Sequence, residues 1–269
     1  MENTDRKRKT IFPVEEGKRR IKLTIAYNGA SFHGWQRQLS ARSVQQEIEE
    51  ALGRIVKEPV TIHGSGRTDK GVHAFGQVAH FDTSNHSVPV EAFALAINHL
   101  LSHEIRILQS EQVDETFHAR FSSREREYRY VIKRNRDFTP FDADRVCRVR
   151  SIPPVNLLNE YAKALVGVHD FTAFCSADDQ SLSKVRDVYE SKFVYDYFLS
   201  NKPNLVYIVR ANAFMMHQVR SMVGTMLQLG ETQQPSWRMK EILESKDRLM
   251  ALRTAPPDGL YLYRITYGT

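Results

Sequence analysis

The densest group of chemically useful residues in this sequence is the loop at residues 63–74, which reads HGSGRTDKGVHA. Its glycines permit tight turns and a close approach of the backbone to a ligand. Asp69 stands between Arg67 and Lys70, and neighbouring cations keep a carboxylate ionised. Such a carboxylate can act as a nucleophile or as an electrostatic stabiliser, but it is a poor proton donor. The alternative is structural, because aspartate often caps turns in glycine-rich loops.

The loop matches none of three familiar binding motifs. A phosphate-binding P-loop needs GxxxxGK[ST], which does not occur here. A dinucleotide fingerprint fails because Gly64 and Gly66 are followed by Asp69 where a third glycine belongs. His63, Asp69 and His73 lack the ligand spacing that is typical of zinc or calcium sites. The sequence therefore predicts a lone carboxylate without a metal.

Residues 120–150 combine positive charge with aromatic side chains. This segment holds ten lysines and arginines against five acidic residues, and phenylalanines and tyrosines lie between them. Basic groups can neutralise phosphates, and aromatic faces can stack on unpaired bases. The alternative is a solvated strand face whose aromatic residues belong to the core. Composition alone leaves both interpretations open.

The composition of the whole chain favours a globular protein with a polyanionic partner. The 269 residues carry 38 Lys and Arg against 32 Asp and Glu, which gives a net charge of +6, and 41% are apolar, so a large core can form. The longest apolar stretch covers only 92–97, and no apolar secretory segment occurs near the start, so no membrane span is expected. Cys147 and Cys175 are the only cysteines. We therefore expect a cytoplasmic location.

Apolar periodicity predicts the elements that must position the loop. The predicted strands cover 21–27, 60–63, 76–81, 105–112, 128–133, 187–198, 205–213 and 261–267. The predicted helices begin at the capping residue Ser43 and near 89, 155, 219 and 236. Strands and helices are grouped rather than strictly alternating, which favours an α+β fold over a doubly wound parallel sheet.

Nine further motifs resemble, in sequence order, those of the tRNA pseudouridine synthase A family. The loop at 64–74 is similar to the signature loop of that family, and the similarity extends from about 21 to 267. The other motifs are YNG at 27–29, FHGWQRQ at 32–38, SVQ at 43–45, FHARF at 117–121, YRY at 128–130, HDFT at 169–172, NAF at 212–214, QVRSMVG at 218–224 and GLYL at 259–262.

The resemblance implies a fold and a set of partners. It implies two α/β halves, 20–118 with the catalytic loop and 119–269, with mixed, largely antiparallel sheets flanked by helices around a central basic cleft. Residues 1–19 lie outside the resemblance and are predicted to form a flexible tail. A member of this family acts as a homodimer on tRNA, with no cofactor, no metal and no membrane association.

The resemblance also implies an activity, the isomerisation of uridine to pseudouridine at tRNA positions 38, 39 and 40 in the anticodon stem-loop. Asp69 matches the essential aspartate, Tyr128 the tyrosine that packs on the target base, and Arg220 an arginine that pairs with the aspartate. Arg67 matches a loop arginine that holds the flipped nucleotide. Further phosphate contacts are expected from Lys70, Arg120 and Arg129. The alternative is a catalytically silent RNA-binding protein in which Asp69 is only structural.

Overall fold

The computed structural model describes residues 13–199 and 201–268, which form ten strands and five α-helices. The strands are β1 (Arg19–Tyr27), β2 (His63–Gly64), β3 (His73–Thr83), β4 (Ile105–Val113), β5 (Ser123–Arg134), β6 (Cys147–Val149), β7 (Gly167–Asp170), β8 (Val185–Asp196), β9 (Asn204–Ala211) and β10 (Leu260–Tyr267). The helices are α1 (Val44–Val56), α2 (Ala92–Asn98), α3 (Val155–Lys163), α4 (Gln218–Glu231) and α5 (Trp237–Ser245).

All ten described strands belong to one continuous sheet. Eight of them follow the order β4-β1-β3-β10-β5-β9-β8-β7, while β2 pairs with β3 and β6 pairs with β5. Only the pairs β10–β3 and β5–β6 are parallel. The prediction of an α+β fold with mixed, largely antiparallel sheets is therefore confirmed, and the strands of both halves join in one sheet.

The strand β10 joins the two parts of the sheet. Its Leu262 lies opposite Ala74 of β3 on one side and opposite Tyr128 of β5 on the other. The approach to β3 is close, since a Cβ atom added at Gly76 would lie 2.6 Å from the carbonyl oxygen of Tyr263. Local periodicity contains no information about this neighbour, because β10 is distant in sequence from both of its partners.

The helices cover the sheet face that carries the main core. The helix α1 begins as predicted, with the Ser43 hydroxyl accepting a hydrogen bond from the Gln46 amide at 3.4 Å. Its Ile48 and Leu52 are fully buried, as are Met222 and Met226 of α4. These side chains belong to one apolar core, which spans both parts of the sheet. The loop that connects β2 to β3 is therefore attached to a sheet that packs on one continuous core.

Two predictions concern the ends of the chain and the membrane. Residues 1–12 of the predicted tail lie outside the described residues, and β1 begins at Arg19, inside the predicted tail. Lys18 and Glu15 form an ion pair of 2.7 Å just before it. Within residues 13–199 and 201–268, no helix combines the length and the apolar character needed to cross a membrane.

Candidate active site

The loop between β2 and β3 is held by hydrogen bonds along its length. The Ser65 amide donates to the carbonyl of Val78 at 2.8 Å, and the Trp35 amide donates to the carbonyl of Thr68 at 3.1 Å. The Thr68 hydroxyl lies 2.9 Å from the hydroxyl of the buried Tyr27. Gly34 has a φ of +95°, and a Cβ atom there would lie 2.5 Å from the Thr68 carbonyl oxygen. The backbone on either side of Asp69 is thus fixed in place.

Asp69 and Arg220 meet although they come from distant parts of the chain. The Arg220 Nη1 donates to Asp69 Oδ2 at 3.0 Å. The guanidinium is itself oriented, because its Nε donates to the carbonyl of Ala255 at 2.9 Å. The two side chains are 15% and 27% exposed, so the carboxylate is braced from one side and open to a ligand on another. Such charge-assisted hydrogen bonds are the strong ones in proteins.

His217 is a second partner of the same carboxylate, and the sequence analysis did not single it out. Its Nε2 lies 3.4 Å from Asp69 Oδ2. His217 caps α4 in the left-handed conformation, with a φ of 63°. The preceding peptide is clamped, since the Met216 amide donates to Asp179 Oδ2 at 2.8 Å. The available signal was its position one helical turn before Arg220, which places both side chains on one face.

Tyr128 lies on the helix-covered face of β5, close to the Asp69 carboxylate. Its ring packs edge-on against Phe214, with 5.2 Å between the ring centroids. Burial raises the pKa of Tyr128 to about 12, and the negative charge of Asp69 acts in the same direction. The side chain is 8% exposed. Tyr128 is therefore a neutral phenol at neutral pH, suited to packing and hydrogen bonding.

Arg126 is a further residue of the site, and its guanidinium binds three backbone carbonyl oxygens. Its Nη2 donates to the carbonyl oxygens of Ser65 at 3.1 Å and Arg120 at 3.2 Å. Its Nη1 donates to the carbonyl oxygen of Asn212 at 2.9 Å. One guanidinium thus joins the loop between β2 and β3, the turn before β5 and the segment that leads to α4. Arg126 lies two residues before Tyr128 on β5 and therefore on the same face of the strand. This spacing is the sequence signal that could have placed Arg126 near the site.

The residues around Asp69 form an open cleft of about 480 Å³. Lys70, His217 and Arg220 contribute cationic or protonatable groups to its wall, and Asp258 contributes a second carboxylate from the segment before β10. The volume is of the size that small ligands occupy in proteins. The cleft is therefore large enough for a ligand of the size of one nucleotide.

The predicted phosphate contacts fall into two groups. Arg67, Lys70 and Arg120 are exposed, and Arg67 Nε donates to the side-chain oxygen of Gln36 at 3.2 Å. Arg129 lies on the opposite face of β5 from Tyr128, because side chains alternate along a strand. There its Nε donates to Glu127 Oε1 at 2.9 Å, and its guanidinium lies over the ring of Tyr263. The structure therefore does not bring Arg129 to the cleft.

His73, which the sequence analysis weighed as a metal ligand, has a packing role. Its Nδ1 accepts a hydrogen bond from the Gly29 amide at 3.0 Å, and its Nε2 lies 3.2 Å from the carbonyl oxygen of Asp258. Burial lowers the pKa of His73 to about 4. Both ring nitrogens are thus engaged by the backbone, and the neutral ring stacks on Tyr261. Residues 13–199 and 201–268 contain no cluster of three His, Cys, Asp or Glu side chains that could hold a metal ion.

The sequence of this chain is similar to a known protein family and to individual members of it. A family model described as tRNA pseudouridine synthase matches residues 23–122 and 161–268. Three relatives named tRNA pseudouridine synthase A align over nearly the whole chain. The protein of Brachyspira hyodysenteriae is 39% identical and covers 91% of this chain and 96% of the relative. For Pseudoalteromonas atlantica the identity is 42%, with 92% of each chain covered. For Bacillus pumilus it is 41%, with 92% and 99% covered.

This chain belongs to the tRNA pseudouridine synthase A family. The resemblance found in the sequence motifs is thereby confirmed.

Proposed function

We propose that this protein isomerises uridine to pseudouridine in the anticodon stem-loop of tRNA, at positions 38, 39 and 40. The observation that carries the proposal is the pairing of Arg220 with Asp69 at 3.0 Å at the edge of an open cleft. An oriented carboxylate beside room for one nucleotide is what this chemistry needs. Membership of the family supports the same conclusion.

The reaction balances without a further reagent. The C1′–N1 bond of the target uridine breaks, the base turns over, and a C1′–C5 bond forms while the proton on C5 leaves and N1 takes up a proton. Substrate and product have the same formula, so the reaction consumes no reductant, oxidant or nucleoside triphosphate. The protein has to extrude the nucleotide, stabilise the charge at C1′ while the base is detached, and accept the C5 proton.

Asp69 supplies the negative charge in this scheme. Arg220 orients the carboxylate, and the exposed side of the carboxylate faces the cleft. As in glycosidases, a carboxylate near C1′ can stabilise oxocarbenium character or form an ester. Addition to C1′, addition to C6 and removal of a ribose proton are all compatible with this position. Because the detached base itself returns as the nucleophile, one carboxylate is sufficient.

Tyr128 packs against the target base and takes part in the removal of the C5 proton. Its pKa of about 12 keeps it a neutral phenol, so its hydroxyl relays the proton to another acceptor and does not act as a phenolate base. The acceptor in this scheme is the Asp69 carboxylate, whose charge contributes to the raised pKa of Tyr128.

Binding of the tRNA relies on cations around the cleft. Arg67, Lys70 and Arg120 are exposed and contact phosphates in this proposal, whereas Arg129 is left out because it lies on the other face of the sheet. The working form is a homodimer in the cytoplasm. Each chain of the dimer consists of two halves, 20–118 and 119–269. Sedimentation velocity tests the dimer, which a stable monomer would refute.

A catalytically silent RNA-binding protein on the same scaffold is the competing function. The test is release of tritium from C5-labelled uridine in an unmodified tRNA transcript, with Asp69→Asn as the matched variant. We expect release by the unsubstituted protein alone, with equal tRNA binding by both. Binding without release by either protein would establish the silent binder. Transcripts that lack one of the three uridines test the positions.

A further inference from the structure

Outside the cleft, a row of aromatic rings runs from the core to the surface. We call His63, His80, His118 and Phe121 the ring cluster. The centroid of the buried His80 lies 4.7 Å from that of His118, which lies 4.5 Å from that of Phe121. The ring of His63 stacks on His80 at 5.1 Å. The row ends in Phe121, which is 68% exposed.

The turn that carries Phe121 is fixed from several sides. The Ala119 amide donates to Nδ1 of His80 at 3.2 Å, and the Tyr267 hydroxyl donates to the carbonyl of Ala119 at 2.7 Å. The Arg120 amide donates to Nδ1 of His118 at 3.1 Å. The Ser122 amide donates to the carbonyl of His118 at 2.9 Å on the other side. Since these bonds hold the backbone on both sides of it, Phe121 is presented to solvent by a rigid turn. An exposed aromatic side chain on a rigid turn is preorganised for a ligand.

His80 and His118 of the ring cluster are neutral at neutral pH, and a cation flanks the cluster. Burial lowers the pKa of His80 to about 3 and that of His118 to about 4. The Arg120 guanidinium lies 5.7 Å from the Phe121 ring centroid. No carboxylate of the described residues forms an ion pair with Arg120. A neutral ring face next to a free guanidinium is complementary to a nucleotide, which pairs a flat base with an anionic phosphate.

The ring cluster is also continuous with the catalytic loop. The loop follows the strand β2, whose first residue, His63, is itself a member of the cluster. In addition, Arg126 Nη2 binds the carbonyl of Arg120 on the turn and the carbonyl of Ser65 in the loop. An RNA strand that places one nucleotide in the cleft must pass beside this loop. The ring cluster is therefore positioned to meet a neighbouring nucleotide of the same strand.

We propose that the ring cluster binds an unpaired nucleobase of the substrate RNA next to the target uridine, with Phe121 stacking on that base and Arg120 contacting its phosphate. The inference rests on the proposed function, since it takes the substrate RNA from it. A protein holding an extruded nucleotide benefits from a stacking partner for the base that loses its neighbour. Because every base has an aromatic face, such a site tolerates different sequences.

The test compares Phe121→Ala and Phe121→Trp with the same substitutions at Phe141, which is 88% exposed on the turn after β5. Pseudouridine formation is measured on an unmodified tRNA transcript. We expect Phe121→Ala to raise KM about ten- to hundredfold, the range for losing one base–aromatic stack, with kcat unchanged. Phe121→Trp should keep KM, and its tryptophan emission should be quenched by the transcript. The Phe141 variants should show neither effect. The emission of Phe141→Trp also serves as the control for fluorescence from the native Trp35 and Trp237.

Two outcomes would overturn the inference. One is an unchanged KM in Phe121→Ala together with no RNA-dependent quenching in Phe121→Trp. The other is a change in sedimentation coefficient of Phe121→Ala, which would show that a second copy of the chain covers the ring. Neither depends on turnover alone, because the quenching is read from bound RNA. Absence of pseudouridine with the unsubstituted protein would instead refute the proposed function.

Discussion

The guanidinium of Arg220 lies 3.0 Å from the carboxylate of Asp69 although 151 residues separate the two along the chain. The pair therefore exists only when the catalytic loop and α4 are both in their final positions. Ala255, whose carbonyl accepts from Nε and whose amide donates to the carbonyl of Arg220, ties the arginine to the segment before β10. The contact thus reports on the assembly of the whole site.

Replacing Arg220 by lysine keeps the charge but removes the planar fork that holds both Asp69 and Ala255. A hydrogen bond to a charged group contributes about 1.5–3 kcal/mol, so we expect kcat to fall roughly ten- to hundredfold. Affinity for tRNA should stay the same, because the positive charge remains. Single-turnover formation of pseudouridine and filter binding measure the two quantities. Full kcat in Arg220→Lys would show that the orientation of Asp69 does not depend on this pair.

Replacing Tyr128 by phenylalanine removes one hydroxyl and leaves the ring. We expect tRNA binding to be kept and turnover to fall at least about a hundredfold, as for loss of an acid–base group. In the unsubstituted protein, the rate should show no ionisation of Tyr128 between pH 6 and 9, since its pKa lies at about 12. Rate measurements over this range test both points. Undiminished turnover of Tyr128→Phe would remove the hydroxyl from the mechanism.

Replacing Gly34 by alanine tests the backbone contact that supports the catalytic loop. The new Cβ atom would meet the Thr68 carbonyl at 2.5 Å in a left-handed conformation. We expect the free energy of unfolding to fall by about 1–3 kcal/mol, with a loss of activity because Asp69 is the next residue. Gly53→Ala in α1 is the matched control. Its Cβ atom meets nothing closer than 3.4 Å, so it should be neutral or slightly stabilising in urea denaturation.

The buried His73 predicts a dependence of stability on pH. Burial lowers the pKa of His73 to about 4, whereas in the unfolded chain it is about 6.5. Between these two pH values the ring is neutral in the folded protein and protonated in the unfolded chain. Its contribution is complete above pH 6.5 and is lost as the pH falls towards 4. The stability difference between pH 7.5 and 5 should shrink by about 2 kcal/mol in His73→Gln. The exposed His99→Gln should leave that difference unchanged in urea titrations.

Much of the local structure followed from the sequence, whereas long-range geometry did not. The cap at Ser43 fixed the start of α1 because a hydroxyl must satisfy a free amide there. Alternation on β5 already implied opposite faces for Tyr128 and Arg129, yet both were assigned to substrate. The structure follows the alternation and places Arg129 beside Glu127, so it gives no support to a contact between Arg129 and the substrate.

Other features carried no periodic signal. The position of β10 between β3 and β5 depends on residues far apart in the chain. The approach of His217 to Asp69 requires a left-handed residue that is not glycine, and propensity argues against that conformation. Asp69 and Arg220 were linked by family resemblance, since spacing could not show that they touch.

The place of β10 has a consequence for synthesis on the ribosome. The strands β3 and β5 are the two neighbours of β10 in the finished sheet, and they do not pair with each other. Both are translated long before β10. Until β10 emerges, each of these strands has an open edge, which is a surface that other chains can pair with. A nascent chain of this protein therefore keeps two strand edges that are not fully paired until β10 is made, and protection by chaperones is useful up to that point.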